Sequence, residues 1–255
     1  VTTSIEGKSA FPENHPLSLG SGGRANSRQV KQYLNDADVI FGVGVSFALT
    51  AFGVPMPANK NGSKTFIHAT LDPMDLNKDV PVQHGLIGDA KLTLQALNAE
   101  MESYGKAPAE QRAAEPEKIA AIRDAWRGEW LPKLTSNDTP INPYRVIAEL
   151  DRMVDKDNVV ITHDAGSPRD QTTPFWEATA PLSYIGWGKT TQLGYGLGLA
   201  MGAKLAAPEK LCINVWGDAA IGFTGMDFET AVRENIPILS ILFNNFSMAI
   251  EIPIM

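Results

Sequence analysis

Two short apolar runs, residues 211–216 and 238–243, constrain the fold more than any other part of the chain. Both are partly β-branched, which is typical of buried strands. Residues 225–233 between them predict a helix that ends before Pro237. A strand–helix–strand unit of this kind forms a right-handed crossover in a parallel sheet. The stretch therefore predicts an α/β fold.

Polar side chains follow both predicted strands. Asp218 comes just after the first strand and Asn245 just after the second, so both belong at the sheet edge where open α/β sheets bind ligands. A carboxylate and an amide oxygen form an oxygen-only half-site for Mg²⁺, of the kind that water and phosphates complete. The small residues Gly217, Ala219 and Ala220 would let a diphosphate approach the backbone N–H groups at the turn.

Composition narrows the functional classes. The chain has 255 residues, 44% of them hydrophobic and 20% charged, which is ordinary for a globular protein of one or two domains. The net charge of −7 and the lack of a basic tract argue against binding to nucleic acid or anionic membranes. Cys212 is the only cysteine, and its predicted strand favours a buried hydrophobic role. We find no membrane-spanning run and no secretory signal, so we expect a cytoplasmic location.

The periodicity divides the chain into two α/β units and a linker. Residues 1–104 predict strands at 1–5, 38–47, 64–73 (ending in a turn) and 86–89 with helices between and after them, too few strands for a complete doubly wound domain. Residues 105–139 predict a connecting amphipathic helix, on which Trp126 and Trp130 are packing residues.

Residues 140–255 predict the second unit, with a strand at 158–162 and a helix over 194–203. That helix contains four glycines, which disfavour a helix unless it packs closely on another backbone or on a partner subunit. We expect both units to be incomplete Rossmann-like parallel-sheet units. The Gly42-x-Gly44 turn is a weak nucleotide signal, and it keeps a nucleotide-dependent enzyme as a minor alternative.

One spaced motif carries a family resemblance. Gly217-Asp218-Ala219, 24 further residues and then Asn244-Asn245 resembles the motif of thiamine diphosphate-dependent enzymes. The whole chain is similar to the rear of the middle domain and the front of the diphosphate-binding domain of acetolactate synthase-like members. The resemblance implies that Asp218 and Asn245 bind Mg²⁺ through side-chain oxygens and Ser247 through its carbonyl. The cofactor-binding residues that it implies are Gly166, Ser167, Thr191, Leu193, Gly217, Asp218, Ala219, Ala220 and Asn245.

Two of these residues would contact the aminopyrimidine ring. By the resemblance, the carbonyl of Thr191 accepts from its exocyclic amine, and Leu193 presses the cofactor into a bent shape. The activating Glu of the family belongs to an N-terminal domain outside this chain, so the catalytic residue is unknown. FAD or ADP can occupy the middle domain of relatives, but we expect a truncated domain to lose much of that pocket.

The implied function is that of a lyase or carboligase that uses thiamine diphosphate and Mg²⁺ on a small 2-keto acid, as a homo-oligomer. As a fragment the chain can be inactive alone. Ser167-Pro168 stands where several members carry Gln-His, and residues 222–226 favour a relative of oxalyl-CoA decarboxylase or 2-hydroxyacyl-CoA lyase. A non-catalytic interaction module, using the glycine-rich helix and the Trp residues, is the alternative from another class.

Overall fold

The computed structural model describes residues 1–23, 25–50, 53–57, 59, 62–106, 109–186 and 192–248, without the side chain of residue 111. The predicted α/β class is confirmed, with two sheets of purely parallel strands, one of three strands and one of four. Across the described ranges, the helices include none whose length and apolarity would let it cross a bilayer.

The N-terminal unit builds the three-stranded sheet, in the order β1-β2-β3. Its elements are α1 (Arg28–Asp36), β1 (Val39–Val43), β2 (Thr65–Thr70), β3 (His84–Ile87) and α2 (Ala90–Met101). The helix predicted after Asp89 is capped by that residue, whose carboxylate accepts from the N–H of Leu92 at 3.0 Å. The core of this unit is centred on Val30, Phe47 and Phe66.

The strand predicted at residues 1–5 is wrong. Thr3 makes only an isolated parallel bridge to Ser21, because the Gly- and Pro-rich segment that follows turns back alongside it. Ser27, at the N-cap position of α1, makes no side-chain cap, since its hydroxyl donates to the carbonyl of Leu19 instead. In both places a contact within the following or preceding loop outcompetes the local signal.

The long helix α3 (Ala109–Leu134) lies between the two units along the chain and packs against both α1 and α4 (Pro143–Met153). The ring of Trp126 stacks on Phe175 with 5.1 Å between centroids, and Trp130 packs on the same ring. The predicted packing role of the two Trp residues is thus confirmed. The predicted domain boundaries at 104 and 139 stay a prediction.

The second unit builds the four-stranded sheet in the order β5-β4-β6-β7. After α4 its elements are β4 (Val159–His163), α5 (Ser167–Phe175), β5 (Tyr184–Ile185), α6 (Tyr195–Ala206), β6 (Leu211–Gly217), α7 (Asp218–Thr224), α8 (Phe228–Arg233) and β7 (Leu239–Phe243). Strand β4 is buried throughout, and Cys212 on β6 is buried as predicted.

The helix expected over residues 225–233 begins later than predicted, at Phe228 (α8), and a separate helix that was not predicted, α7, precedes it. Helix α7 follows directly on β6, and a 3₁₀ turn, Gly225–Asp227, separates it from α8. The strand pairing brings Gly217 opposite Phe243. The residues that follow these two, Asp218 and Asn244, therefore leave the sheet at the same edge.

Candidate functional site

A cleft of about 950 Å³ opens at the carboxyl edge of the four-stranded sheet. Its size is within the range of small-molecule and cofactor pockets. The following sequence-predicted site residues line it: Gly166, Ser167, Leu193, Gly217, Asp218, Ala219, Ala220, Asn245 and Ser247. Thr191 lies outside the described residues. One cleft thus brings together segments that follow β4, β6 and β7, and their roles stay a prediction.

Asp218 is the centre of a backbone hydrogen-bond network at this edge. Its Oδ1 accepts from the N–H of Ala219 at 2.8 Å, and its Oδ2 accepts from Asn245 at 3.1 Å and Ser247 at 3.2 Å. The Oδ1 of Asn245 accepts from the same Ser247 N–H at 3.1 Å. The two side chains that were predicted to converge therefore lie within hydrogen-bond distance of one nitrogen.

This oxygen pair suits a hard divalent cation. A carboxylate oxygen has two acceptor positions, and within the described part of the chain Oδ1 of Asp218 accepts a single hydrogen bond. The described residues contain no group of three His, Cys, Asp or Glu side chains that could hold a metal by themselves. A cation bound here would need further oxygen ligands, which is how Mg²⁺ binds with water and substrate phosphates.

The turns beside the pair leave room for a ligand. A Cβ atom built on Gly217 would meet its nearest neighbours, Phe243 O and Pro168 Cγ, only at 4.0 Å. Packing within the described chain therefore does not require a glycine here, and the open space faces the cleft. Gly166 has φ 79°, a left-handed conformation that favours glycine, and it directly precedes α5. These two turns fit a diphosphate lying against the backbone.

Leu193 serves the core and the cleft at once. It is half-buried and packs against the cluster of Leu197, Trp216 and Ala220, while it also lines the cleft. Further apolar lining includes Ile241, Leu242, Phe243, Phe246 and Met248 on one side and Ile141 and Val146 on another. Polar lining is not confined to the Asp218 edge, because Ser167, Arg169 and Gln171 on α5 also line the cleft.

Asp164 was not among the predicted site residues. Its side chain is buried and accepts from the backbone N–H groups of Ala165, Gly194 and Gly196 at 2.9–3.1 Å. Burial raises the pKa of this carboxyl, and the amide donors oppose that rise. Two sequence features could have indicated this contact: an acid directly after a buried strand, and the Gly194-x-Gly196 segment whose amides it binds.

His163, the last residue of β4, is a second buried titratable group. It is fully buried, and Nδ1 lies 3.2 Å from the hydroxyl of Tyr195. Burial lowers the pKa of this imidazole to about 4, so it is neutral at physiological pH. It is close to the cleft in sequence but does not line it.

Comparison with known proteins identifies the family to which the chain is similar. Residues 1–97 match the family model described as thiamine pyrophosphate enzyme, central domain. Residues 164–251 match the one described as thiamine pyrophosphate enzyme, C-terminal TPP binding domain. Together the two ranges span well over half of the chain.

Curated relatives agree with this match. The chain is 26% identical over 251 residues to a probable acetolactate synthase large subunit of Methanococcus aeolicus, which covers 96% of the chain and 42% of the relative. It is 29% identical over 245 residues to the acetolactate synthase isozyme 3 large subunit of Escherichia coli, and this alignment covers 96% of the chain and 42% of the relative. It is 28% identical over 257 residues to the mitochondrial acetolactate synthase catalytic subunit of Saccharomyces cerevisiae, and this alignment covers 96% of the chain and 36% of the relative. The chain therefore spans about two fifths of the length of these relatives.

Proposed function

The chain belongs to the thiamine pyrophosphate enzyme family, and from that premise we propose that its cleft holds the diphosphate end of thiamine diphosphate together with Mg²⁺. The observation that carries the proposal is the convergence of Asp218 and Asn245 on the N–H of Ser247. A carboxylate and an amide oxygen held this way at the mouth of a cofactor-sized cleft match a Mg²⁺ half-site that phosphate oxygens complete.

Each element of the cleft then has a defined task. Asp218 and Asn245 would hold Mg²⁺ by side-chain oxygens and Ser247 by its carbonyl. The turns at Gly166–Ser167 and Gly217–Ala220 would lie along the diphosphate, and Leu193 would support the aminopyrimidine ring together with the carbonyl of Thr191. When bound, thiamine diphosphate supplies a thiazolium ring that stabilises negative charge on the carbonyl carbon of the substrate.

The chain's own contribution is binding, orientation and exclusion of water. The backbone N–H groups of Ala219, Asn245 and Ser247 fix the orientation of the Asp218 carboxylate before any ligand arrives, which lowers the cost of binding. The apolar residues Leu193, Ile241 and Met248 form part of the cleft wall and would keep water from the reacting atoms.

We propose a small 2-keto acid as the substrate, in a lyase or carboligase reaction. The relatives named above are acetolactate synthases, and they favour this substrate class over the acyl-CoA alternative. From the resemblance stated above we also propose self-association, and we propose the cytoplasmic location expected from the sequence. The chain spans about two fifths of these relatives, so the full reaction is proposed for a protein in which the remaining part of the site is supplied.

Calorimetric titration tests the cofactor site. Thiamine diphosphate is titrated into the chain with and without Mg²⁺, and we expect binding that requires the metal. Asp218→Asn keeps the shape but removes the charge, so the Mg²⁺-dependent affinity should fall by at least about tenfold. Asp227→Asn, an exposed acid on the neighbouring 3₁₀ turn, is the matched control and should bind normally.

Two outcomes would contradict the proposal. Binding that Asp218→Asn leaves unchanged would reject the metal assignment. No binding by the unaltered chain would favour the non-catalytic interaction module. If the cofactor binds, competition between pyruvate and oxalyl-CoA for the loaded chain separates the 2-keto acid from the acyl-CoA alternative.

A further inference from the structure

Gly194 is held through both of its backbone polar groups. Its N–H donates to Oδ1 and Oδ2 of Asp164 at 3.0 and 3.1 Å. Its carbonyl accepts from the hydroxyl of Thr224 at 2.7 Å. The N–H of Gly196, two residues further on, also donates to Asp164 Oδ2 at 3.0 Å. The start of α6 is therefore fastened to the end of β4 and to the end of α7.

Only glycine fits at position 194, next to the end of α7. Gly194 has φ 92°, in the left-handed region. A Cβ atom there would come within 2.8 Å of Thr224 Cγ2 and 3.0 Å of Phe223 Cβ. The close approach that brings Thr224 to the carbonyl of Gly194 thus depends on the missing side chain.

The three residues connect the three parts of the proposed cofactor site. Asp164 lies two residues before the Gly166 turn, and Gly194 directly follows Leu193. Thr224 ends α7, the helix that begins at Asp218. Gly166, Leu193 and Asp218 all line the cleft, whereas the carboxylate of Asp164 is fully buried and lies behind it.

We propose that Asp164 and Thr224 are positioning residues that hold Leu193 at the cleft wall through Gly194, an inference that rests on the proposed cofactor site. They act on the end of the cleft assigned to the aminopyrimidine ring, because Leu193 belongs to that end. The Asp218–Asn245 edge has its own hydrogen bonds, to Ala219, Asn245 and Ser247. We call the hydrogen bonds of Asp164 and Thr224 to Gly194 the Gly194 clamp. Its loss should therefore weaken binding of the aminopyrimidine ring and leave the Asp218–Asn245 edge unchanged.

A carboxylate is the side chain that this clamp needs. Asp164 faces three backbone N–H donors and has only acceptors to offer when ionised. In Asp164→Asn, either orientation of the amide turns an NH₂ group toward one of these donors, which leaves a buried N–H unsatisfied. Thr224→Val keeps the shape and removes only the hydroxyl that binds the Gly194 carbonyl.

Two ligands separate positioning from general damage. Thiamine diphosphate and plain pyrophosphate, both with Mg²⁺, are titrated into the unaltered chain, Asp164→Asn, Thr224→Val and the control Thr230→Val, whose hydroxyl lies near Glu229. We expect both clamp variants to lose at least about tenfold in affinity for thiamine diphosphate while pyrophosphate affinity changes by less than about twofold. Hydrogen exchange at the Gly194 and Gly196 amides should also accelerate in Asp164→Asn.

Each alternative result overturns a different statement. Wild-type affinity for thiamine diphosphate in both clamp variants overturns the inference alone. Equal loss of both ligands overturns the positioning role, because it indicates damage to the whole site. An unaltered chain that binds neither ligand overturns the proposed function and this inference with it, whereas Asp218→Asn should lose both ligands if the function is right.

Discussion

The side chains of Asp218 and Asn245 accept hydrogen bonds from one and the same backbone N–H, that of Ser247, at 3.2 and 3.1 Å. The residues are far apart in the chain, yet the parallel pairing of β6 with β7 ends both strands at one edge. The shared donor fixes the direction of two oxygens at once. This arrangement explains why the predicted pair can act as a single binding element.

Replacement of Asn245 tests the amide half of this pair. Asn245→Ala should weaken Mg²⁺-dependent binding of thiamine diphosphate by about tenfold or more, because one oxygen ligand is lost. Calorimetric titration over a range of Mg²⁺ concentrations measures the effect. Asn98→Ala, an exposed change on α2, serves as the control. Equal affinities for both variants would mean that Asn245 does not contribute to the site.

His163 should make the protein less stable in acid. Its imidazole has a pKa of about 4 in the folded chain, against 6.5 for the free side chain. Above pH 6.5 it is neutral in both states and adds no pH dependence, while below that value only the unfolded chain takes up the proton. Between pH 6.5 and 4 it should therefore remove about 3 kcal/mol of unfolding free energy.

Denaturant unfolding across this pH range measures the loss. His163→Gln has no titrating group at this position, so its stability should fall less steeply with acid than that of the unaltered chain. Parallel pH profiles for the two proteins would contradict the assignment.

The glycines of α6 should separate into two classes. A Cβ on Gly196 would come within 2.5 Å of Asn214 Oδ1, whereas one on Gly198 meets nothing within 4 Å in the part of the chain that the structure describes. Gly198→Ala should therefore stabilise the isolated chain by roughly 1 kcal/mol through helix propensity, and Gly196→Ala should destabilise it. Chemical denaturation measures both.

The same pair of variants tests the predicted packing against a partner subunit. If Gly198→Ala instead weakens self-association in sedimentation experiments, the open face of α6 is part of a subunit contact. Unchanged association with higher stability would show that, of these two positions, Gly196 alone needs to be glycine for packing.

Glu13 should be essential for the contact between the two units. It pairs with Lys8, and both side chains are almost fully buried. Its Oε2 accepts from the N–H of Ala178 at 2.9 Å. Glu13→Ala leaves a buried Lys8 uncompensated, so we expect a loss of about 3 to 5 kcal/mol in unfolding free energy.

An exposed ion pair provides the comparison. Arg28 and Glu129 also join different elements, but about half of each side chain is exposed. Glu129→Ala should therefore cost less than about 1 kcal/mol. Similar losses in the two variants, measured by denaturant unfolding, would contradict the importance assigned to burial.

The sequence by itself determined the α/β class, the parallel strands β6 and β7, and the meeting of Asp218 and Asn245. These follow from local rules, because short apolar runs form buried strands and parallel strands end at a common edge. The packing role of Trp126 followed in the same way from helical spacing. The domain boundaries and the cofactor roles stay predictions.

Only the tertiary structure decided the clamp of Asp164 on Gly194 and Gly196, the bond from Ala178 to Glu13, and the absence of a strand at residues 1–5. The sequence around a carboxylate that follows a strand does not indicate which distant backbone N–H groups will donate to it. Its partners depend on how close α6 comes to the sheet, and that distance is set by packing of the whole unit. Local periodicity predicts which residues are buried, while long-range contacts decide which buried polar groups meet.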